Sequence, residues 1–102
     1  MSKVAAITRM TPKPGMFEQL CACAEQMAAA VAAENGTEVY VVSRSTREPE
    51  VLFLFELFTD SAALKAHAAA GGAVGELVAP YLESIEVVRG EPLVAKGVNV
   101  GR

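Results

Sequence analysis

The sequence contains a single histidine, His67, and histidine is the side chain best suited to proton transfer near neutral pH. It follows Leu64 by three residues, which places it near the apolar side of a predicted helix. Two interpretations are open. His67 is either a base that faces an interior pocket or a boundary histidine whose ring is hydrogen-bonded to a nearby carbonyl group.

Glu56 interrupts the otherwise apolar segment V-L-F-L-F-E-L-F at residues 51–58. A buried carboxylate is costly unless it is paired or neutralised, so this residue requires a partner or a function. One interpretation is a structural ion pair with Arg44, near the end of the neighbouring predicted strand or across a dimer. The other is a base in a pocket, with its pKa raised by burial. Glu56 and His67 are therefore the candidate catalytic residues.

Aromatic side chains could line a flat apolar pocket for a small hydrophobic or aromatic substrate, such as an aromatic polyketide or a quinol. Each of them could equally belong to the core. With one arginine added, the predicted substrate-binding residues are Tyr40, Arg44, Phe58 and Tyr81.

Motifs for cofactors and metals are missing from the sequence. It has no P-loop and no G-x-G-x-x-G motif, so nothing predicts nucleotide or flavin binding. Cys21 and Cys23 are separated by about 160° around a predicted helix, so they can neither form a disulfide with each other nor share a metal ion. One histidine without a nearby carboxylate pattern does not supply the converging ligands of a metal site. We therefore predict no cofactor and no metal.

Composition sets the broad class. A chain of 102 residues is expected to form one domain, over residues 1–102. The net charge of −3 and the scattered basic residues argue against nucleic acid as a partner. The hydrophobic fraction is 52%, but much of it is alanine, and no apolar run approaches the ~20 residues of a membrane span. The N-terminus does not have the pattern of a signal peptide, so we expect a cytoplasmic protein.

Hydrophobic periodicity and turn residues predict an α+β protein with the order β-α-β-β-α-β, the ferredoxin-like arrangement with an antiparallel sheet. The predicted strands are residues 3–11, 37–45, 51–58 and 82–89. The first predicted helix runs from residue 16 to about residue 34. The second begins at a cap among Thr59, Asp60 and Ser61, ends near residues 71–72, and is followed by one or two further turns. Residues 92–100 could form another short strand or an arm over a partner.

The strand at residues 51–58 is apolar on both faces. Successive side chains of a strand point to opposite sides, so an antiparallel sheet with one wet face would show an apolar–polar alternation. A chain of this size with few helices cannot easily cover both faces of a sheet. We therefore predict a homodimer in which sheet packs against sheet.

The region around Glu56 and His67 resembles the antibiotic biosynthesis monooxygenase (ABM) family of the dimeric α/β-barrel superfamily. The similar features are a strand that ends in Glu-x-aromatic, a Thr-Asp-Ser turn, and a helix that contains A-L-x-x-H. The segments K-P-G-M-F-E-Q-L, A-A-E-N-G and Y-V-V-S-R-S fit the same pattern in the same order. The resemblance implies that two copies pair their sheets into an α/β barrel and that His67 lies beside an interior pocket.

The resemblance also implies a function. It is that of a monooxygenase in which O₂ reacts directly with a small aromatic, polyketide or quinol-type substrate. The protein would supply a dry pocket and a base, without a cofactor. Two alternatives stay open, because one fold supports several functions. One is a non-catalytic small-molecule-binding domain, and the other is a non-oxidative isomerase or lyase.

Overall fold

The computed structural model describes residues 2–99, which form four strands and four α-helices. In chain order the elements are β1 (Val4–Pro12), α1 (Phe17–Ala22), α2 (Ala24–Val31), β2 (Thr37–Arg44), β3 (Leu52–Phe58), α3 (Ser61–Ala70), α4 (Gly72–Val78), a 3-10 turn (Ala79–Tyr81) and β4 (Leu82–Gly90). The strands form one sheet in the order β2-β3-β1-β4, and every neighbouring pair is antiparallel. This order confirms the predicted ferredoxin-like fold.

The first predicted helix is two helices in the structure, with the break at Cys23. The backbone N–H of Cys23 donates to the carbonyl of Leu20 at 3.1 Å, a tighter turn than the α-helical pattern. The thiol of Cys23 donates to the carbonyl of Gln19 at 3.4 Å, the group that an α-helix would pair with that N–H. The apolar stripe nevertheless continues through the break, because Leu20, Cys23 and Met27 are all buried.

One face of the sheet packs against the helices and forms the core. Leu52 and Leu54 of β3 are buried there with Met10 of β1 and with Leu20 and Met27 of the first two helices. This is the expected pattern of an amphipathic helix pair on a sheet, in which apolar burial supplies most of the stabilisation.

The helix α3 begins at a defined cap. The carboxylate of Asp60 accepts a hydrogen bond from the backbone N–H of Ala63 at 2.8 Å, which identifies the cap among the three predicted candidates. The cap follows directly on β3 and its turn, so it fixes the start of α3 relative to the strand that carries Glu56.

The other face of the sheet has no helices over it. Exposed apolar residues on this face include Ile7 (51% exposed), Val41 (47%) and Val88 (70%), from three different strands. They alternate with the helix-facing residues of the same strands, so the sheet is apolar on both sides, as residues 51–58 indicated. Coverage of this face by a second copy stays a prediction.

Beyond β4, the chain forms no further strand within the residues described, which end at 99. The predicted short strand is therefore absent up to that point, and residue 100 lies outside the described range. The ammonium of Lys3 donates to the carbonyl of Asn99 at 2.7 Å, which ties the end of this segment to the start of the sheet.

Within residues 2–99, no helix has the length and apolar character needed to cross a bilayer. The cytoplasmic location expected from the sequence stays a prediction.

Candidate active site

A cavity of about 250 Å³ lies between the helix-facing side of the sheet and helices α2 to α4. Its walls are mainly apolar and include Met27, Leu54, Leu64 and Val78. The side chains that carry polar or ionisable groups into the lining are Thr8, Glu34, Tyr40, Glu56, His67 and Arg89. Such an apolar pocket with a few convergent polar groups is the usual form of a small-molecule site.

His67 projects from α3 into this cavity with Leu64, Ala68 and Gly71, which recur on one side of the helix. Its ring lies 5.1 Å from the ring of Phe58, centroid to centroid, with a tilt of 50°. The imidazole is only partly exposed, with 22% of its side-chain surface accessible. Packing against Phe58 therefore holds the ring at the cavity wall.

Two carboxylates flank the imidazole. The Nδ1 atom of His67 is 2.7 Å from Oε1 of Glu34, and Nε2 is 3.3 Å from Oε2 of Glu56. Because each ring nitrogen faces an oxygen, protons can be held on either side of the ring according to the charge of the two carboxyl groups. The arrangement is that of an acid–base group with an orienting partner.

Glu34 is the member of this cluster that sequence reasoning missed. It lies in the turn after α2 and also accepts a hydrogen bond from the hydroxyl of Thr37 at 2.8 Å. Burial acts to raise the pKa of Glu34, but hydrogen bonds from His67 and Thr37 outweigh it, so that the pKa is lowered. The sequence did contain an indication that Glu34 faces the interior, because residue 34 continues the helical spacing of the buried Met27 and Val31.

Glu56 is buried, with only 6% of its surface exposed. Burial raises the pKa of this carboxyl group, and the nearby positive charge of His67 offsets part of the effect. A hydrogen bond with Thr8 acts in the same direction as His67. Glu56 is therefore easier to protonate than an ordinary glutamate, which suits a group that takes part in proton transfer.

The ion pair between Arg44 and Glu56 that was considered from the sequence does not form within the chain. Arg44 instead pairs with Glu18 of α1, at 3.3 Å, and its guanidinium lies over the ring of Phe17, 5.5 Å from the centroid. Arg44 lies at the end of β2, opposite Leu52, which precedes Glu56 by four residues along β3. It does not line the cavity.

Two of the three predicted aromatic residues line the cavity and one does not. Tyr40 lies opposite Glu56 in the sheet and lines the cavity together with Phe58. Burial and the charges of Glu56 and Glu34 raise the pKa of Tyr40 to about 12, which keeps its phenol protonated and able to donate a hydrogen bond. Tyr81, the last residue of the 3-10 turn, packs against the core and does not line the cavity.

Of the six residues predicted from the sequence, the structure therefore places four around one cavity and two elsewhere. The four are Tyr40, Glu56, Phe58 and His67. Thr8, Glu34 and Arg89 join them without having been predicted. Among residues 2–99, no group of three or more His, Cys, Asp or Glu side chains is arranged to hold a metal ion.

Comparison with known proteins gives a family match over most of the chain. The family model described as "Antibiotic biosynthesis monooxygenase" matches residues 3–87. No curated protein matches the chain.

Solved structures share the fold over almost the whole chain. A Mycobacterium tuberculosis protein is 28% identical, with a TM-score of 0.81, over 92% of this chain and 98% of its own. A Nitrosomonas europaea protein of unknown function is 26% identical, with a TM-score of 0.83, over 97% of both chains. A Caulobacter crescentus protein titled as a candidate antibiotic biosynthesis monooxygenase is 23% identical, with a TM-score of 0.82, over 91% of this chain and 92% of its own.

Proposed function

Because the chain belongs to the antibiotic biosynthesis monooxygenase family, we propose that it is a cofactor-independent monooxygenase of a small aromatic, polyketide or quinol-type substrate. The observation that supports this most directly is the contact of His67 with Glu56. Their Nε2 and Oε2 atoms are 3.3 Å apart at the wall of an apolar cavity. The pair combines a proton acceptor with a carboxyl group whose pKa burial has raised.

In the first step of the proposed reaction, His67 accepts the proton of a phenolic or enolic hydroxyl group. The carboxylate of Glu34, hydrogen-bonded to Nδ1, stabilises the positive charge that the ring then carries. The substrate becomes an electron-rich anion. The apolar walls limit its hydration, which makes it a better electron donor than the same anion in water.

In the second step, the substrate anion reacts with O₂. A new bond forms between a ring carbon and one oxygen atom, and the distal oxygen takes up a proton from the His67–Glu56 pair to give a hydroperoxide. The same carbon then loses its hydrogen as a proton while the O–O bond breaks. The products are a carbonyl group and water. For a hydroquinone, the sum is hydroquinone plus O₂ to hydroxyquinone plus water, so the substrate itself supplies both electrons.

We also propose that the functional unit is a homodimer formed by the sheet face that has no helices over it. The exposed Ile7, Val41 and Val88 on that face support the proposal, as does the apolar Phe53 beside them. An apolar sheet face of this kind resembles the core of an obligate interface more than an ordinary surface.

Oxygen uptake with a panel of hydroquinones and other dihydroxy-aromatics tests the proposed reaction. We expect one O₂ consumed per hydroxyquinone formed, one atom of labelled O₂ in the product, and no requirement for flavin or metal. His67→Gln should abolish most of the uptake, whereas Lys65→Gln, on an exposed position of the same helix, should not.

The same assay separates the alternative functions. Loss of substrate without oxygen uptake would indicate an isomerase or a lyase. Tight binding without any turnover would indicate a small-molecule-binding domain. Activity that depends on added flavin would contradict the cofactor-independent mechanism.

A further inference from the structure

A row of four side chains crosses the whole sheet on the face that carries the cavity. Tyr40 of β2 lies opposite Glu56 of β3, Glu56 lies opposite Ala6 of β1, and Ala6 lies opposite Arg89 of β4. Directly opposed residues of antiparallel strands point to the same side of a sheet. All four line the cavity. The floor of the cavity therefore presents a phenol, a carboxyl, a methyl and a guanidinium group in this order, from one edge of the sheet to the other.

Between Glu56 and Arg89 in this row stands Ala6, whose side chain is a single buried methyl group. Neighbouring strands are about 4.8 Å apart, so the Cα atoms of Glu56 and Arg89, two strands apart, are separated by roughly 10 Å. Glu56 and Arg89 do not form an ion pair with each other within 4 Å, although the charge of Arg89 acts on the pKa of Glu56. A small ring above Ala6 would have the acid–base pair at one end and a guanidinium at the other.

Arg89 is the one lysine or arginine among the residues described as lining this cavity. Within residues 2–99 it has no ion-pair partner, whereas Arg9 pairs with Glu48 and Glu86, and Arg44 pairs with Glu18. Its guanidinium is therefore available to a ligand. A guanidinium offers a planar pair of N–H donors that matches a carboxylate in a two-point hydrogen bond.

The size and walls of the cavity limit the rest of the ligand. A buried apolar cavity of about 150 Å³ accommodates benzene, so about 250 Å³ suits a single ring with a few substituents. Ile85 and Val87, on the same face of β4 as Arg89, are both half-exposed and line the cavity. They provide an apolar surface for the ring beside the charged end.

We propose that the substrate is a single-ring aromatic acid, with its hydroxyl group at Glu56 and His67 and its carboxylate on Arg89. This inference rests on the proposed function for the role of the hydroxyl group, but the recognition of the carboxylate is independent of any reaction with O₂. A singly charged carboxylate fits better than a phosphate ester, because one guanidinium would leave part of a double negative charge facing Glu56 and Glu34.

Binding without oxygen tests the proposal. The probes are gentisate, a hydroquinone ring with one carboxylate, and gentisamide, which has a neutral amide in its place. Calorimetry under anaerobic conditions should show that the protein binds gentisate about 10-fold to 100-fold more tightly than gentisamide, as expected for a charged hydrogen-bonded pair. Arg89→Gln should bring the two affinities to the same value, and Arg89→Lys should keep part of the preference.

Arg47→Gln is the matched control, because Arg47 is an exposed arginine that does not line the cavity and its loss changes the net charge equally. This variant should keep the full preference for gentisate. Thermal unfolding of each variant checks that the fold is intact. Equal affinities in the unaltered protein, a preference that survives in Arg89→Gln, or no binding of either probe at millimolar concentration would overturn the proposal.

Oxygen uptake with the same two probes distinguishes this proposal from the function on which it rests. Arg89-dependent binding of gentisate without oxygen uptake would reject the monooxygenase and retain the recognition of an aromatic acid. Equal oxygen uptake with gentisate and gentisamide would reject the recognition of the carboxylate and retain the monooxygenase.

Discussion

The Nδ1 atom of His67 lies 2.7 Å from Oε1 of Glu34, a residue 33 positions earlier in the chain. A carboxylate at this distance accepts the N–H of Nδ1, because an ionised carboxylate has only acceptor sites. This contact is shorter than the 3.3 Å between Nε2 and Glu56, and burial favours the protonated form of Glu56, so the proton of a neutral ring sits on Nδ1 and the lone pair of Nε2 points toward Glu56 and the cavity. Glu34 thus acts on the reaction through His67, as a positioning residue.

Removal of the Glu34 carboxylate should change the tautomer of His67. Because the chain has a single histidine, its ring ¹⁵N resonances can be assigned without ambiguity. We expect a predominantly Nδ1-protonated neutral ring in the unaltered protein and a mixture of tautomers in Glu34→Ala. Glu25→Ala, on an exposed position of α2, should leave the spectrum unchanged. An unchanged tautomer in Glu34→Ala would contradict the positioning role.

Substitution of His67 should remove the proton acceptor and leave the fold in place. His67→Gln keeps a side chain that can donate to Glu34 but cannot take up a proton in the reaction. We expect kcat to fall by about 10²-fold to 10⁴-fold, the range for loss of a general acid–base group, with little change in KM. Steady-state oxygen uptake and circular dichroism measure the two effects. A rise in KM with kcat unchanged would indicate that His67 binds the substrate without acting as a base.

The two carboxyl groups should affect stability with opposite signs. Burial raises the pKa of Glu56 above 4.5, so the folded state holds this proton more tightly than the unfolded state. The favourable contribution of Glu56 to folding stability is fully present below about pH 4.5 and is lost as the pH rises through the raised pKa. The pKa of Glu34 is lowered, because hydrogen bonds outweigh the effect of burial. The contribution of Glu34 to folding stability is present above about pH 4.5 and is lost as the pH falls through the lowered pKa.

Urea unfolding at several pH values tests this difference. At pH 7, Glu56→Gln should raise the free energy of unfolding and Glu34→Gln should lower it, by amounts within the range of about 0.5–3 kcal/mol that is usual for single substitutions. Both differences should shrink toward pH 4, and Glu25→Gln should show neither effect. A loss of stability in Glu56→Gln at pH 7 would instead show that the carboxylate is needed in its charged form, as a member of a structural ion pair.

The sheet face without helices should mediate dimerisation. Light scattering after size exclusion should give about twice the chain mass of 10.7 kDa at low micromolar concentration. Val41→Lys places a charge on the apolar face and should shift the protein toward monomer, because a buried unpaired charge is costly. Ala29→Lys, on an exposed position of α2, adds the same charge elsewhere and should leave the dimer intact. A monomeric unaltered protein would contradict the proposed assembly.

Local patterns in the sequence were enough to predict the order of elements and four residues of the site, Tyr40, Glu56, Phe58 and His67. The nearly continuous apolar run at residues 51–58 predicted a strand that is apolar on both faces, in which Glu56 is the exception. Helical spacing placed His67 near the apolar side of α3, and the Thr-Asp-Ser turn limited the cap to Thr59, Asp60 or Ser61, of which the structure shows Asp60. These features depend on neighbours within one or two turns, so the sequence alone determines them.

Contacts between elements were decided only by the tertiary structure. Arg44 pairs with Glu18 and not with Glu56, because it lies at the end of β2, where Glu18 of α1 is within reach. Glu34 reaches His67 across 33 residues, and the row from Tyr40 to Arg89 exists only because four strands align in one register. A shift of one residue in any strand would turn its side chains to the other face. Periodicity reveals which side of an element is apolar, but the partner that each side chain meets depends on how all the elements pack.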